Sequence, residues 1–229
     1  MSRIFAHRGV HGHARENTLA AFEEAVSLGV DGVELDVRRS ADGALVVHHD
    51  PVAEGHVIAR TPARNLPDYV PYLGDALAVL RGVTVNVEIK NLKDSREPTY
   101  DETGAFAHEV LEAVVDLRDS QPLTLSCFDL ATCESIRSFD SEIYIGWLVW
   151  RTSLSTALPS ARERGFDAVN PHFRLMSRAT AEEAGELGVE LNVWTVNRSK
   201  DLRAMAELNV ASIITDQPSL ALRLRDEAP

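Results

Sequence analysis

Three carboxylates stand on two short apolar runs in a pattern that could bind a metal ion. Glu34 and Asp36 are two residues apart in the run 32–37, so both would point to one face of a strand. Glu88 has the same place in a later run, 84–89. Three carboxylates that converge suit one hard divalent cation, Mg²⁺ or Ca²⁺, which prefers oxygen ligands. The alternative is a buried network of ion pairs with Arg8, Lys90 or Arg38.

Two histidines are expected beside this carboxylate cluster. His7 ends the first apolar run, and His49 ends a β-like run that follows Asp42-Gly43, a strong hairpin signal. A two-residue turn there would place Asp36 opposite His49, give or take one residue for a bulge. Because imidazole titrates near neutral pH, the pair could act as general base and general acid. The other histidines are interpreted as solvated or as facing away from the site: His11, His13, His48, His56 and His108.

The acidic charge of the chain argues against nucleic-acid partners and means that a phosphate-bearing substrate would need positive charge close to it. The chain has 23 Lys and Arg against 35 Asp and Glu, a net charge of −12, so nucleic acid would be repelled. A substrate that carries phosphate would need a metal or a few well-placed cations. Arg8 could clamp a phosphoryl group through its planar fork, and Lys90 could act as a point charge. Both could equally balance the carboxylates, and the two roles are compatible.

Short β-like runs alternate with helical patterns along the whole chain. Eight such runs are visible, at residues 4–7, 32–37, 84–89, 123–127, 144–149, 168–170, 191–196 and 211–215. Alternating β and α elements imply right-handed crossovers and a parallel sheet. Eight units in 229 residues predict the α/β class and one domain over residues 1–229, a single (β/α)8 TIM barrel. An open doubly wound sheet is disfavoured because no G-x-G-x-x-G follows the first strand.

One interval is longer than the rest and predicts a short insertion after the second strand. It covers roughly residues 38–82 and holds the hairpin, a loop with prolines at 60–71 and a helix at 73–80. In a TIM barrel the working residues lie at the carboxyl ends of the strands. The carboxylates, His7 and Lys90 all fall there, and the hairpin would return His49 to the same rim.

The remaining composition is that of an ordinary globular protein, with 45% apolar and 25% charged residues. Cys127 and Cys133 offer no disulfide framework, and we expect both to pack as small apolar groups. No stretch resembles the apolar core of a signal peptide or the ~18 apolar residues of a membrane span. A cytoplasmic protein without stable membrane association is therefore expected.

The motifs, in their order along the chain, resemble the glycerophosphodiester phosphodiesterase family. That family belongs to the phosphodiesterase barrels that include phosphatidylinositol-specific phospholipase C and sphingomyelinase D. The resemblance runs from Phe5 to Pro218 and is densest over the first 90 residues. It is carried by His7-Arg8-Gly9, Glu16-Asn17-Thr18, Glu34-Leu35-Asp36-Val37, Asp42-Gly43, His49-Asp50 and Glu88-Ile89-Lys90, and later by Ser126-Phe128, Val193–Asn197 and Ile213–Asp216.

The resemblance implies a reaction and a role for each site residue. It implies metal-dependent hydrolysis of a small glycerophosphodiester to glycerol 3-phosphate and an alcohol, with a cyclic phosphate between two steps. One histidine would take the proton of the glycerol 2-hydroxyl and the other would protonate the leaving alcohol. The implied roles are acid and base for His7 and His49; ligands of one divalent cation, Mg²⁺ or Ca²⁺, for Glu34, Asp36 and Glu88; and substrate contacts for Arg8, Lys90, Trp194 and Phe128.

Two departures from the family pattern bear on the substrate. Arg15 occupies the position where the family usually has proline. The stretch between His49 and Thr84, which helps to choose the alcohol in relatives, is shorter here than is usual in the family. One alternative is lysophospholipase D or sphingomyelinase D-like action on a lipid phosphodiester, for which the mostly polar loops and net charge are unfavourable. A barrel that only binds a ligand is the other alternative, and the complete set of acid, base and carboxylate residues argues against it.

Overall fold

Eight parallel strands form a closed barrel in the computed structural model, which describes residues 1–94 and 99–227. Strand numbers follow the chain and include three short strands of the insertion, described below. Pairing of the first barrel strand with both the second and the last closes the sheet and confirms the predicted (β/α)8 fold. In order around the barrel the strands are β1 (Arg3–His7), β2 (Gly32–Arg39), β6 (Thr84–Ile89), β7 (Leu123–Cys127), β8 (Tyr144–Val149), β9 (Ala168–Pro171), β10 (Glu190–Val193) and β11 (Ser212–Thr215).

Each barrel strand is followed by a helix on the outside of the barrel. The first helix begins where the Thr18 hydroxyl accepts the backbone N–H of Ala21, and it ends at Gly29, whose φ of 78° is left-handed. The helix expected at 73–80 agrees with the structure within one residue. The helices are α1 (Leu19–Leu28), α2 (Leu73–Val79), α3 (Ala105–Val115), α4 (Leu130–Phe139), α5 (Leu154–Glu163), α6 (Arg178–Leu187), α7 (Ser199–Glu207) and α8 (Pro218–Asp226).

The hairpin of the insertion is present, and its register lies one residue from the central expectation, within the one-residue allowance; the expected two-residue turn is wrong. Strand β3 (Leu45–Val47) runs antiparallel to β2, with Arg39 opposite Leu45. The loop is therefore longer than two residues, and the Ser40 N–H donates to the Ala44 carbonyl across it. Gly43 takes a left-handed φ of 80° after a tight turn, which is the geometry of a three-residue loop. As a result, Asp36 lies opposite His48, whose N–H donates to the Asp36 carbonyl at 2.9 Å.

The rest of the insertion packs as a small cap with its own apolar cluster. A second hairpin, β4 (Val52–Ala53) and β5 (His56–Val57), was not anticipated from the sequence. Two short 3₁₀ turns follow, at Ile58–Arg60 and Ala63–Asn65. The buried members of the cluster are Val46, Ala53, Ile58, Leu66 and Val70.

Strand alternation divides the barrel residues between two environments. Leu35 and Val37 are fully buried in the large apolar core that includes helix residues such as Phe22 and Val110, so these β2 side chains face outward. Glu34 and Asp36 therefore face the barrel interior, as predicted. Both cysteines are buried in the same core, which confirms their interpretation as small apolar groups. Among the described residues, no helix combines the length and apolar character needed to cross a membrane.

Candidate active site

The structure brings the three predicted carboxylates together at the carboxyl end of the barrel. Asp36 on β2 is paired in register with Glu88 on the adjacent β6, and Glu34 is two residues back on the same strand. Ligand oxygens of the three residues lie within 4.8 Å of one another. All three residues are buried, and Asp36 is fully so. Strand pairing alone therefore builds this cluster from residues far apart in sequence.

Both predicted cations contact the cluster. Lys90 Nζ lies 2.8 Å from Asp36 Oδ1 and 2.5 Å from Glu88 Oε1. Arg8 Nε lies 3.2 Å from Asp36 Oδ2, and its Nη1 donates to Glu16 at 2.9 Å. The ion-pair network that the sequence offered as an alternative is thus present around Asp36 and Glu88. It does not reach all of Glu34, whose Oε1 is buried without a hydrogen-bond partner among the described residues.

The charges are unevenly balanced within the cluster. Burial opposes ionisation of Asp36, but the charges of Lys90 and Arg8 outweigh it and hold the pKa of that carboxyl well below its usual range. Burial, followed by the charges of Asp36 and Glu88, raises the pKa of Glu34 well above its usual range. An additional cation would offset the repulsion between Glu34 and the other two carboxylates. The donor set consists of oxygen atoms alone, which Mg²⁺ and Ca²⁺ prefer. The residues present therefore fit a divalent cation.

Asn17 belongs to the cluster but was not among the predicted site residues. Its Nδ2 donates to Asp36 Oδ2 at 2.7 Å, and its Oδ1 accepts the Asp36 N–H at 3.4 Å. Its backbone φ of 56° is left-handed, a conformation that asparagine tolerates better than most residues. The sequence signal was its place in the Glu16-Asn17-Thr18 motif, one of those that carry the family resemblance.

His7 lies between two carboxylates of different strands. Its Nδ1 is 2.6 Å from Asp216 Oδ1, and its Nε2 is 3.8 Å from Glu34 Oε2. Asp216, which follows β11 directly, was not a predicted site residue, although it stood in a motif used for the resemblance. Asn197 fixes it, since Asn197 Nδ2 donates to Asp216 Oδ2 at 2.6 Å and its Oδ1 accepts the Asp216 N–H at 2.9 Å. This arrangement orients the His7 ring.

His11 was interpreted as solvated, and that interpretation is wrong. Its Nε2 lies 3.3 Å from Asp216 Oδ1, and its side chain is only 23% exposed. The loop after β1 therefore turns back over the rim. The nearby His13 is exposed, as expected.

His49 reaches the same rim despite the shifted hairpin register, because the chain leaves β3 at Val47 and bends. Its Nδ1 lies 2.8 Å from Asp50 Oδ1, and Arg38 Nε donates to the His49 carbonyl at 3.0 Å. Burial and the nearby charge of Lys90 lower the pKa of His49 below its usual value. His48 points elsewhere, with its ring centroid 6.2 Å from that of Tyr69, as the sequence predicted.

Aromatic side chains follow four consecutive strands on the other half of the rim. The Trp194 ring is edge-on to Phe128, with centroids 5.3 Å apart, and its Nε1 donates to the Asn170 carbonyl at 2.7 Å. Trp150 and His172, which the sequence analysis did not single out, complete the group with centroids 4.0 Å apart. The predicted seventh run was too long, because β10 ends at Val193 and Trp194 forms only an isolated bridge with His172. We call Phe128, Trp150, His172 and Trp194 the aromatic arc.

Comparison with known proteins relates the chain to one family of enzymes. The model of the glycerophosphoryl diester phosphodiesterase family matches residues 7–220. A glycerophosphodiester phosphodiesterase of Caldanaerobacter subterraneus is 27% identical over 242 residues, which cover 96% of each chain.

Solved structures share the fold over nearly the full length. A glycerophosphodiester phosphodiesterase from Parabacteroides distasonis superposes with a TM-score of 0.86 at 23% identity, covering 100% of this chain and 98% of the other. A phosphodiesterase from Oleispira antarctica, solved in complex with the product sn-glycerol-3-phosphate, gives a TM-score of 0.84 at 22% identity, covering 99% and 98%. At these identities the likeness concerns the barrel itself.

Proposed function

Because this chain belongs to the glycerophosphoryl diester phosphodiesterase family, we propose that it hydrolyses small glycerophosphodiesters to glycerol 3-phosphate and an alcohol. The chain is an enzyme, a phosphodiesterase. One observation carries the proposal. Three buried carboxylates, two histidines and two cations lie together at the carboxyl end of a (β/α)8 barrel that has the fold of this family. The product bound to the Oleispira antarctica enzyme supports the choice of product.

We propose that Glu34, Asp36 and Glu88 hold one divalent cation, Mg²⁺ or Ca²⁺. Two observations support this assignment: the oxygen donor set, and Glu34 Oε1, which has no hydrogen-bond partner in the described part of the chain. When bound, such a cation would stabilise negative charge that develops on the phosphoryl oxygens. Lys90 and Asn17 hold Asp36 from two sides, so the carboxylate that anchors the cluster is fixed before any ligand arrives.

His7 and His49 are the proposed acid–base pair. In this role the Nδ1–H of His7 donates a hydrogen bond to Asp216, which leaves Nε2 directed toward the carboxylate cluster and the substrate. His49 is oriented in a similar way by Asp50. In the proposed first step one imidazole takes the proton of the glycerol 2-hydroxyl, and the other gives a proton to the oxygen of the departing alcohol. Water then opens the cyclic phosphate with the two roles reversed.

Arg8 and Lys90 are the proposed phosphate contacts. Their side chains are 16% and 11% exposed at the rim, next to the carboxylates that they balance. Arg8 is held in place by Glu16 and by its own backbone N–H, which donates to the Glu34 carbonyl at 2.9 Å. In this role the two cations would place positive charge beside a bound phosphodiester, which is the local compensation that an acidic protein requires.

Trp194 and Phe128 are the proposed contacts for the uncharged part of the substrate. The aromatic arc lies across the barrel mouth from the carboxylates, so a phosphodiester bound at the cations would extend toward it. Flat aromatic faces suit the C–H surface of an alcohol or glycerol group.

Release of glycerol 3-phosphate from a panel of soluble glycerophosphodiesters tests the proposal. With Mg²⁺ or Ca²⁺ supplied, turnover is expected, and EDTA should abolish it until metal is restored. Glu34→Gln should remove both activity and the response to metal. The matched control is Glu190→Gln at the start of β10, which bonds Arg3 at the opposite end of the barrel and should behave as wild type. No turnover of any diester with either metal would overturn the proposal.

The lipid alternative is decided in the same assay. Lysophosphatidylcholine and sphingomyelin, presented in mixed micelles, are expected to turn over more slowly than the soluble diesters. Faster release of choline from either lipid would replace the proposed substrate class and leave the proposed chemistry in place.

A further inference from the structure

A second group of metal-ligating atoms lies beside the carboxylate cluster and has a different donor set. His7 Nδ1, His11 Nε2 and a carboxylate oxygen of Asp216 lie within 4.8 Å of one another. Two imidazoles and one carboxylate are the ligands of many zinc sites, whereas Mg²⁺ and Ca²⁺ prefer oxygen alone. The proposed reaction gives His11 no task, so its position over Asp216 needs another explanation.

Asp216 is fixed so that one oxygen serves both rings. Asn197 occupies Asp216 Oδ2 and the Asp216 N–H, which leaves Oδ1 for His7 at 2.6 Å and His11 at 3.3 Å. Carboxylates that bind a metal ion are typically oriented by a hydrogen bond from a residue that does not itself bind the metal. The three side chains are 16%, 23% and 27% exposed, so an ion could enter from solvent.

The spacing is close to that of a tetrahedral site. Bonds of about 2.0–2.1 Å to zinc place neighbouring ligand atoms roughly 3.4 Å apart. The contact between His11 and Asp216 already has this spacing. The contact between His7 Nδ1 and Asp216 Oδ1, 2.6 Å, would have to open by about 0.8 Å.

We propose that His7, His11 and Asp216 form an inhibitory site for Zn²⁺. Zinc takes the Nδ1 lone pair of His7, so the ring proton moves to Nε2 and that nitrogen is no longer able to accept one. When zinc binds, Asp216 Oδ1 exchanges its hydrogen bond with His7 Nδ1 for a bond to the metal. Water fills the fourth position, as in other zinc sites with three protein ligands. The inhibitory effect rests on the proposed role of His7 as acid or base, but the binding of zinc does not.

The test compares His11→Ser with His13→Ser, a matched control in the same loop. His13 is exposed and outside the donor group. Excess Mg²⁺ occupies the carboxylate cluster throughout. Zinc binding is measured by competition with a chromophoric chelator, and Co²⁺ is used as a spectroscopic probe, since a tetrahedral site with nitrogen ligands gives visible absorption.

Wild type and His13→Ser should bind one Zn²⁺, show the Co²⁺ absorption and lose activity as the site fills. His11→Ser should keep its activity without zinc, bind Zn²⁺ at least about 10-fold more weakly and resist inhibition. Equal zinc affinity in wild type and His11→Ser would overturn the site. Binding that depends on His11 but leaves activity intact would overturn the inhibitory role. If the enzyme turned over no glycerophosphodiester at all, the proposed function would fail, and the Co²⁺ spectrum would still decide the site.

Discussion

Asp216 shows how one residue can set the protonation state of another. Because its carboxylate accepts a hydrogen bond from the Nδ1–H of His7, the lone pair of Nε2 is free to accept a proton. In Asp216→Asn the side-chain amide can donate to Nδ1 and force the proton onto Nε2. We expect kcat to fall about 10²–10⁴-fold with KM nearly unchanged, measured by steady-state release of glycerol 3-phosphate.

The control for this prediction is the same substitution in a His7→Ala background. If Asp216 acts through His7, the double variant should be no slower than His7→Ala alone. A further large loss in the double variant would contradict the positioning role.

The same carboxylate links stability to pH. Burial opposes its charge, but the hydrogen bond and charge of His7 lower the pKa of Asp216 to about 2. A carboxyl group whose pKa is lower in the folded state adds stability above its unfolded pKa, near 4, and loses it as the pH falls toward 2. Asp216→Asn should therefore lower the free energy of unfolding by on the order of 2 kcal/mol at pH 6. In urea titrations this difference should shrink between pH 4 and 2, and a constant difference would contradict the linkage.

Sequence reasoning found the residues whose chemistry is local and missed those whose role depends on a tertiary contact. His7, Glu34 and Glu88 were recognisable because strand alternation and strand ends fix where they point. Asn17 and Asp216 lie in loops, and their partners are residues 19 and 209 positions away. No periodicity in the sequence could pair them.

At the scale of elements, the turn after β1 depends on close approach between the loop and α1. Gly9 has a φ of 82°, and a Cβ there would lie 2.8 Å from the backbone of Ala21. Gly43 in the hairpin has a similar φ of 80°, but no atom of residues 1–94 or 99–227, apart from its own and those of its two chain neighbours, lies within 4 Å of a Cβ placed there. The two glycines therefore separate the effect of backbone strain from that of a steric clash.

Gly43→Ala should cost about 1–2 kcal/mol of unfolding free energy, the strain of a left-handed residue, and leave kcat/KM within about two-fold. Gly9→Ala should cost more and lower kcat/KM by at least about ten-fold, because the clash displaces Arg8 and the loop that carries Asn17. Chemical unfolding and steady-state kinetics measure both effects. Equal losses of activity in the two variants would show that the fit of this loop against α1 does not set the site.

The hairpin also shows what a strong turn signal leaves undetermined. Asp42-Gly43 predicted a turn at the right place, but the same dipeptide fits loops of two or three residues. The Ser40 hydroxyl, which bonds Asp42 and the Ala44 N–H, favours the longer loop. That contact shifts the register by one residue, and only the bend after Val47 returns His49 to the rim.

At the scale of the whole molecule, the barrel mouth has two halves of different character. Strands β11, β1, β2 and β6 end in the titratable groups, and β7 to β10 end in the aromatic arc. The loops at 150–153 and 172–177 contain Arg151 and Arg174 and no acidic residue. The charge of Arg174 adds to burial in lowering the pKa of His172, so a positive charge is disfavoured within the arc itself.

This local field should decide which alcohol the enzyme prefers, in spite of its net charge of −12. An aromatic face attracts a trimethylammonium group by about 0.5–1 kcal/mol at an exposed site, and two nearby guanidinium groups oppose it. We expect kcat/KM to be several-fold higher for diesters of neutral polyols, such as glycerophosphoglycerol, than for glycerophosphocholine. The double variant Arg151→Ala, Arg174→Ala should bring the kcat/KM values for the two kinds of diester closer together. Added salt should have the same effect on the wild-type enzyme, because both arginines are exposed and their charges are screened. A wild-type preference for the choline diester that survives high salt would mean that cation–π attraction, not the arginines, governs selection at this rim.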